Sequence, residues 1–168
     1  VSRPTPPAGV ALELRVEDCA LGGLLESWNL EEYGHRGMAL VLDLEREEGL
    51  LCDRFHTAEV MRNLLDNAWE AAGPDCTVRL ALRKRVRLRG HRGRFDRLTV
   101  ADNGPGVSPQ LREKLFQPYQ TDKNGDRHMG LGLFYCAKVM RAHGGAIQAE
   151  EGAGRGCTIA LYFPSGRP

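Results

Sequence analysis

Two asparagines in the stretch 62–72 have the spacing of a binding site. Asn63 and Asn67 lie four residues apart in a helix-forming run, so we expect both side chains on one helix face, one turn apart. A carboxamide oxygen is a hard, neutral ligand that suits Mg²⁺ or a water bound to phosphate. If this pair stood alone, a solvent-exposed polar helix face would be the alternative interpretation. The other motifs of the chain decide between the two.

A carboxylate flanked by glycines forms the second element. Asp102 follows the apolar segment 98–101 and opens the sequence Asp-Asn-Gly-Pro-Gly, which contains Gly104 and Gly106. A carboxylate at a strand end can accept a hydrogen bond from an exocyclic amine, and glycine lets a flat ring approach the backbone. A simple Gly/Pro turn is the alternative.

The third element is Gly130-Leu131-Gly132-Leu133, which runs into a predicted helix that ends at His143. Backbone N–H groups at the start of a helix bind anions, and glycine leaves room for a phosphate. Neither a Walker A pattern nor G-x-G-x-x-G occurs in the chain, which excludes the common nucleotide folds that depend on them.

The segment 115–128 between these elements combines an anchored aromatic residue with a polar, glycine-bearing loop. A mobile lid over a ligand has this composition, although an ordinary surface loop does too. Lys123 and Arg127 would supply positive charge to phosphates.

In this order, the four elements resemble the ATP-binding domain shared by sensor histidine kinases, DNA gyrase B, the mismatch-repair ATPases and the ninety-kilodalton heat-shock chaperone (the GHKL superfamily, with the Bergerat fold). The resemblance covers about residues 10–164. The matching motifs are the N box at Arg62–Ala72, the G1 box at Asp102–Gly106, the F box at Leu115–Lys123 and the G2 box at Gly130–Leu133.

The resemblance implies ATP and Mg²⁺ as cofactors and assigns a role to each motif. Asn67 would coordinate Mg²⁺, with Asn63 near the phosphates or the metal, and Asp102 would bind the adenine amino group. Catalysis would involve Asn63 and Lys123. The remaining implied binding residues are Glu70, Gly104, Gly106, Arg127, Gly130, Leu131, Gly132, Leu133 and Thr158.

Asn63 indicates which branch of the superfamily the chain resembles. Hydrolysing members usually have Glu at this position, whereas a carboxamide has no basic site with which to activate water. Such a site suits transfer of the phosphoryl group to a better nucleophile. The N-box string and the Phe-x-Pro-Tyr-x-Thr-x-Lys lid resemble bacterial sensor histidine kinases in particular. A gyrase- or repair-type ATPase module, with Glu59 as a substitute base, and a serine kinase of the anti-sigma type remain alternatives.

Two departures from the histidine kinase pattern stand out. Cys157 holds the place after the last glycine of the C-terminal motif, where those kinases have Thr or Ser, and Thr158 follows it. None of the five histidines has the setting of a phosphoacceptor. We therefore expect the acceptor on a dimerisation domain, in an upstream region or a partner protein, and a response regulator beyond it.

Length and composition favour one ordinary globular domain, at 10–168, after a linker or chain boundary at 1–9. The net charge of +1 argues against whole-surface binding of nucleic acid or membrane. No signal peptide or spanning apolar run is present, so we expect a cytoplasmic domain whose parent can be membrane-anchored. Five cysteines without a C-x-x-C pair indicate reduced thiols rather than zinc or disulfides.

The apolar periodicity predicts an α+β two-layer sandwich, with a mixed, mostly antiparallel sheet and about three helices on one face. The arginine-rich run 83–97 is consistent with a solvated hairpin, and docking of an acidic partner is the alternative. Predicted strands are 10–16, 38–44, 50–52, 77–89, 95–101, 147–150 and 157–163. Predicted helices are 21–33, 56–72, 109–116 and 131–143.

Overall fold

The structure is a computed structural model that describes residues 12–44, 49–118, 131–151 and 155–166. The strands are β1 Val16–Cys19, β2 Ala39–Leu44, β3 Leu50–Asp53, β4 Thr77–Val86, β5 Phe95–Asp102, β6 Ala146–Glu151 and β7 Cys157–Pro164. The helices are α1 Leu21–Ser27, α2 Leu30–His35, α3 Arg54–Ala72, α4 Pro109–Lys114 and α5 Gly132–Ala142, with a 3₁₀ turn at Gly73–Asp75.

A five-stranded sheet with the order β2-β4-β5-β7-β6 forms one layer. Only β2 and β4 pair in parallel, and the other three pairs of neighbours are antiparallel. The helices cover one face of this sheet and share its hydrophobic core. The predicted two-layer sandwich with a mostly antiparallel sheet is therefore confirmed.

Alternation along the strands and four-residue spacing along α3 build the core. Ile159, Leu161 and Phe163 point from β7 toward the helices, and the residues between them point to the other face. The buried stripe of α3 contains His56, Thr57, Val60, Met61, Leu64, Leu65 and Ala68. Burial of each large apolar side chain contributes about 1.5–3 kcal/mol, so this stripe fixes the rotation of α3 about its axis.

The predicted first strand is wrong. Within that range, residues 12–15 have no regular structure, and the strand begins only at Val16. It pairs with β3 in a separate two-stranded sheet, where Val16 lies opposite Asp53 and Cys19 opposite Leu50. The position of the strand is set by this distant partner, which local alternation does not reveal.

The single helix predicted over 21–33 is also wrong, because it is broken into α1 and α2. Asn29 adopts a left-handed conformation with φ of 53° between the two helices. Asparagine tolerates this region better than most residues, and the break turns α2 away from the axis of α1.

α3 begins two residues earlier than predicted because Asp53 caps it. The Asp53 side chain accepts a hydrogen bond from the His56 backbone N–H at 2.8 Å, which satisfies one of the free donors of the first turn. Gly73, with φ of 69°, follows its last residue. Among the described helices, none combines the length and apolarity needed to cross a bilayer.

Candidate active site

A row of three side chains on α3 forms the floor of the candidate site. Asn63, Asn67 and Ala71 follow one another at four-residue intervals, so they lie on one face and span about 12 Å along the axis. Both asparagines are half-buried beside the apolar stripe. The row therefore runs along the border between the core and solvent, where a ligand can reach it.

The start of α5 closes one end of this row. A Cβ atom at Gly132 would lie 2.5 Å from Asn63 Oδ1, so only glycine leaves the carboxamide in place. Asn63 Nδ2 donates to the main-chain oxygen of Glu59 at 2.9 Å, which fixes the orientation of the amide. Leu131, the N-cap residue of α5, makes no side-chain capping bond, so it leaves the N–H groups of the first turn available to an anion.

The loop after β5 closes the other end. A Cβ atom at Gly104 would lie 3.3 Å from Ala71 Cβ and 3.1 Å from Asp102 Oδ1. The loop thus packs directly on the last turn of α3. The structure brings together three of the four predicted elements around Asn67.

The two carboxylate oxygens of Asp102, beside this cleft, have different surroundings. Its Oδ1 accepts from the N–H groups of Gly104 at 2.8 Å and Cys157 at 3.3 Å. Its Oδ2 has no hydrogen-bond partner among the described residues. Burial raises the pKa of this carboxyl above its ordinary value, and the two backbone hydrogen bonds offset part of that shift. A fixed carboxylate with one free oxygen is suited to accept a hydrogen bond from a neutral amine.

Two glycines hold the loops beside Asp102 in contact. Gly106 and Gly156 have φ of 84° and 110°, in the region that favours glycine. A Cβ atom at Gly156 would lie 1.9 Å from the Asp102 main-chain oxygen, and one at Gly106 would lie 3.0 Å from the Gly156 oxygen. This contact joins the end of β5 to the start of β7.

Thr158, a predicted binding residue, lies on the wrong face of the sheet. It pairs with Ala101 in β5 and alternates with Cys157 and Ile159, which pack toward the helices. Successive residues of a strand point to opposite faces, so the Thr158 hydroxyl points away from the cleft.

Cys157 takes the position on the cleft side. Burial, with the Asp102 charge as a smaller contribution, raises the pKa of its thiol to about 11. The side chain beside Asp102 is therefore a neutral thiol at neutral pH. It stands where the histidine kinase pattern has the hydroxyl of Thr or Ser.

The other predicted residues divide into two groups. Leu131 is exposed at the start of α5, Leu133 packs against the core, and Glu70 is exposed near the end of α3. Lys123, Arg127 and Gly130 lie outside the described residues, together with most of the predicted lid. Their roles remain predictions from the sequence.

Two contributors were missed by the sequence-based reasoning. The Cys157 N–H fixes Asp102 through a register that only the fold reveals. Ala71 carries no chemistry, but its place four residues after Asn67 predicts a contact on the same face. The alternation Cys157, Ile159, Leu161, Phe163 was a usable signal that Cys157, and not Thr158, faces the helices.

The donor atoms at the cleft fit Mg²⁺ bound together with phosphates. No cluster of three or more His, Cys, Asp or Glu side chains that could hold a metal occurs in the described part of the chain. Mg²⁺ commonly takes only one or two protein oxygens and completes its shell with water and substrate phosphates. The Asn67 carboxamide oxygen would be a ligand of this kind.

Comparison with known proteins agrees with this geometry. The family described as histidine kinase-, DNA gyrase B-, and HSP90-like ATPase matches residues 52–167. The C4-dicarboxylate transport sensor protein DctB of Rhizobium meliloti is 38% identical over 125 residues, which are 73% of this chain and 19% of that protein. The signal transduction histidine-protein kinase BaeS of Escherichia coli is 30% identical over 138 residues, 80% of this chain and 28% of that protein. The chain thus spans less than a third of the length of these two relatives.

Solved structures show the same architecture. The catalytic domain of histidine kinase ThkA superimposes with a TM-score of 0.73 at 25% identity and covers 90% of this chain and 97% of that one. Full-length ShkA, solved in complex with AMPPNP, gives a TM-score of 0.74 at 23% identity over 95% of this chain and 33% of that one. At this identity the second similarity describes the fold alone.

Proposed function

Because the chain belongs to the histidine kinase-, DNA gyrase B- and HSP90-like ATPase family and is an ATP-binding catalytic domain of the histidine kinase type, we propose that it transfers the γ-phosphoryl group of Mg·ATP to a histidine on a dimerisation domain. The acceptor belongs to an upstream region or a partner protein, and a response regulator receives the group next. Residues 10–168 form the domain, which works in the cytoplasm.

The contacts at the two ends of the row on α3, which runs from Asn63 to Ala71, support this proposal. Asp102, at the Ala71 end, offers a free carboxylate oxygen to the amino group of adenine. Gly132, at the Asn63 end, offers the open start of α5 to phosphates. The separation of about 12 Å along the helix suits a nucleotide that lies with its base at one end and its phosphates at the other.

Asn67 lies between these ends, where its carboxamide oxygen would hold the Mg²⁺ that accompanies the phosphates. The metal would neutralise the phosphate charge during transfer. Lys123 and Arg127 would contact the outer phosphates from the lid. Asn67→Ala is expected to weaken the dependence of nucleotide binding on Mg²⁺, which titration with and without the metal measures.

Asn63 supports transfer rather than hydrolysis. Its amide N–H is held by the main chain one turn earlier, and a carboxamide cannot remove a proton from water. Glu59, the possible substitute base, has its carboxylate paired with Arg62 at 3.2 Å. The site therefore positions the phosphoryl group for an incoming nucleophile on another domain.

Incubation with γ-labelled ATP and candidate dimerisation domains tests the proposal. Label on the partner that is labile in acid and stable in base indicates phosphohistidine, the expected result. Acid-stable label would indicate a serine kinase instead. Release of free phosphate without labelled protein would indicate an ATPase module and would overturn the proposal.

A further inference from the structure

The basic run 83–97 divides into two groups of side chains in the structure. In the first group, each charge is paired with an acidic partner within the fold. Its ion pairs join Arg83 to Asp43, Lys84 to Asp96 and Arg97 to Glu150.

The second group consists of Arg87, Arg89, Arg92 and Arg94, in the connection between β4 and β5. All four are exposed, and none forms an ion pair with another described residue. We call residues 86–95 the arginine hairpin. It concentrates guanidinium groups that have no ionic partner in the described part of the chain.

The base of the arginine hairpin is rigidly held. The Asp96 side chain is 2% exposed and pairs with Lys84 Nζ at 2.6 Å. Asp96 Oδ1 also accepts from the Arg85 N–H at 3.1 Å and from Ser165 Oγ at 2.8 Å. Arg85 has φ of 55° at a bulge in β4, so these bonds fix the direction in which the hairpin leaves the sheet.

The tip is fixed in the same way. The His91 N–H donates to the Leu88 oxygen at 3.0 Å across a turn that contains Gly90, with φ of 82°. Leu88 is buried, and the His91 ring packs edge-on against Phe95 at 5.8 Å. A preformed backbone loses little conformational entropy on binding, so a partner would have to order only the arginine side chains.

The arginine hairpin lies at the far end of β5 from the nucleotide cleft. Phe95 begins this strand and Asp102 ends it, a distance of about 24 Å at the usual rise per residue. A partner on the hairpin therefore leaves the cleft open to ATP.

We propose that the arginine hairpin is a docking surface for a protein that carries an acidic surface patch. Guanidinium groups bind carboxylates through paired hydrogen bonds. Leu88 and Phe95 point inward, so the hairpin offers no large exposed apolar side chain to a bilayer. The ring of its exposed His91 already packs edge-on against Phe95.

The net charge of the rest of the chain disfavours the binding of extended polyanions such as membranes or DNA. Without the four arginines the formal net charge of +1 becomes −3. A membrane or a DNA duplex extends beyond the hairpin and meets this negative remainder, whereas charges more than about 10 Å away are largely screened from a compact acidic patch. The charge distribution thus favours a protein partner.

Binding of a fluorescent oligoglutamate peptide, compared with phosphatidylserine vesicles and duplex DNA, tests the proposal. The peptide is expected to bind in a salt-dependent way and to bind more tightly than the vesicles or the duplex. The variant R87S/R89S/R92S/R94S is expected to lose about tenfold or more in peptide affinity and to keep its ATP affinity. If it does not fold, R89S/R92S replaces it, with a proportionally smaller loss.

A control variant removes the same total charge elsewhere, at Arg36, Arg54, Lys114 and Arg141, all exposed. It is expected to retain peptide affinity within about twofold. Equal losses in the two variants would mean that net charge alone acts, and the proposal would fail. Failure of the peptide to bind, or tighter hairpin-dependent binding of vesicles or DNA, would also overturn it.

Discussion

At the scale of single residues, the two oxygens of Asp102 have different roles. Oδ1 accepts from two backbone N–H groups, which fixes the carboxylate. Oδ2 has no partner among the described residues and would be left for the ligand of the proposed site. The effect of replacing Asp102 by the nearly isosteric Asn therefore depends on which atom takes the place of each oxygen, and not only on the loss of charge.

Asp102→Asn is expected to abolish recognition of adenine while the fold persists. The two N–H donors keep the amide oxygen at the Oδ1 position, so an NH₂ group faces the adenine amine and two donors oppose each other. Loss of a hydrogen bond to a charged acceptor costs about 1.5–3 kcal/mol, or roughly 10- to 150-fold in ATP affinity by calorimetry. Because burial raises the pKa of Asp102, the uncharged variant should unfold at no lower temperature.

The exposed Asp75 provides the matched control. Asp75→Asn makes the same chemical change outside the cleft, and its ATP affinity should match that of the parent. Equal ATP affinity in Asp102→Asn and the parent would contradict the assignment of Asp102 to adenine.

Gly132→Ala is expected to remove activity at little cost in stability. The new Cβ would lie 2.5 Å from Asn63 Oδ1, and the end of that side chain can rotate away. Gly132 is the first residue of α5, where the helix propensity of the residue has little effect, so the unfolding temperature should change little while phosphoryl transfer falls by about tenfold or more.

Gly22→Ala makes the same exchange in α1, where nothing lies within 4 Å of the new atom. This control should be at least as stable as the parent and fully active. Normal transfer by Gly132→Ala would mean that the position of the Asn63 carboxamide is not critical.

At the scale of elements, His143 joins the end of α5 to the start of α3. Its Nε2 accepts from the Asp53 N–H at 2.9 Å, and Nδ1–H donates to the Val139 oxygen at 2.8 Å. Both ring nitrogens are used in the neutral form only. Burial lowers the pKa of His143 below its ordinary value, so a proton on this ring opposes the folded state.

The free energy of unfolding is therefore expected to decrease as the pH falls below the ordinary histidine pKa of 6.5. In that window the unfolded chain binds the proton and the folded chain does not, with a limiting slope of about 1.4 kcal/mol per pH unit. The stabilising contribution is complete above this window. Urea unfolding between about pH 5 and 8 measures it.

His143→Gln should lower the overall stability but flatten this dependence, whereas His35→Gln, at an exposed position, should preserve it. The contribution of Asp53 is separable. Burial raises the pKa of Asp53, but hydrogen bonds from the His56 and Arg15 backbone and the His56 pairing together outweigh it and lower the pKa below the ordinary 3.8. An unchanged slope in His143→Gln would assign the effect to another group.

Gly156 makes the contact between β5 and β7 sensitive to a single methyl group. Gly156→Ala would place Cβ 1.9 Å from the Asp102 main-chain oxygen, at φ of 110°. A backbone atom cannot rotate away as a side chain can, so both strands must shift, and we expect a loss of about 3 kcal/mol or more.

Gly90→Ala separates the cost of the steric contact from the cost of the positive φ, because Gly90 has φ of 82° and open space around it. It should cost only the backbone penalty, about 1–2 kcal/mol, by thermal unfolding. A similar loss in both variants would show that the contact at Asp102 contributes nothing beyond the conformation of glycine.

At the scale of the whole molecule, sequence patterns predicted those elements that depend on residues close together in the chain. The buried stripe of α3 and the strand pair β4–β5 follow from periodicity alone. The register between distant strands does not, which is why β1 was misplaced and Thr158 was assigned to the cleft. The break at Asn29 depends on a backbone conformation that the apolar spacing of 21–33 conceals.

The same distant contacts make the cleft a property of the entire fold. Asn63, Gly104, Gly132 and Gly156 come from four separate parts of the chain, and any ligand in the cleft requires all of them in place. A nucleotide that binds only the folded form must then stabilise the whole domain by mass action.

Mg·ATP at about 100 times its dissociation constant should add about 2.7 kcal/mol. At roughly 2–4 °C per kcal/mol for a domain of this size, the unfolding temperature should rise by about 5–10 °C in a thermal melt. Mg·GTP is the sharper comparison, because guanine has a carbonyl oxygen where adenine has its amine, and that oxygen would face the acceptor Oδ2 of Asp102. Equal shifts with the two nucleotides would mean that the base is not read by Asp102, even if the phosphates are bound as proposed.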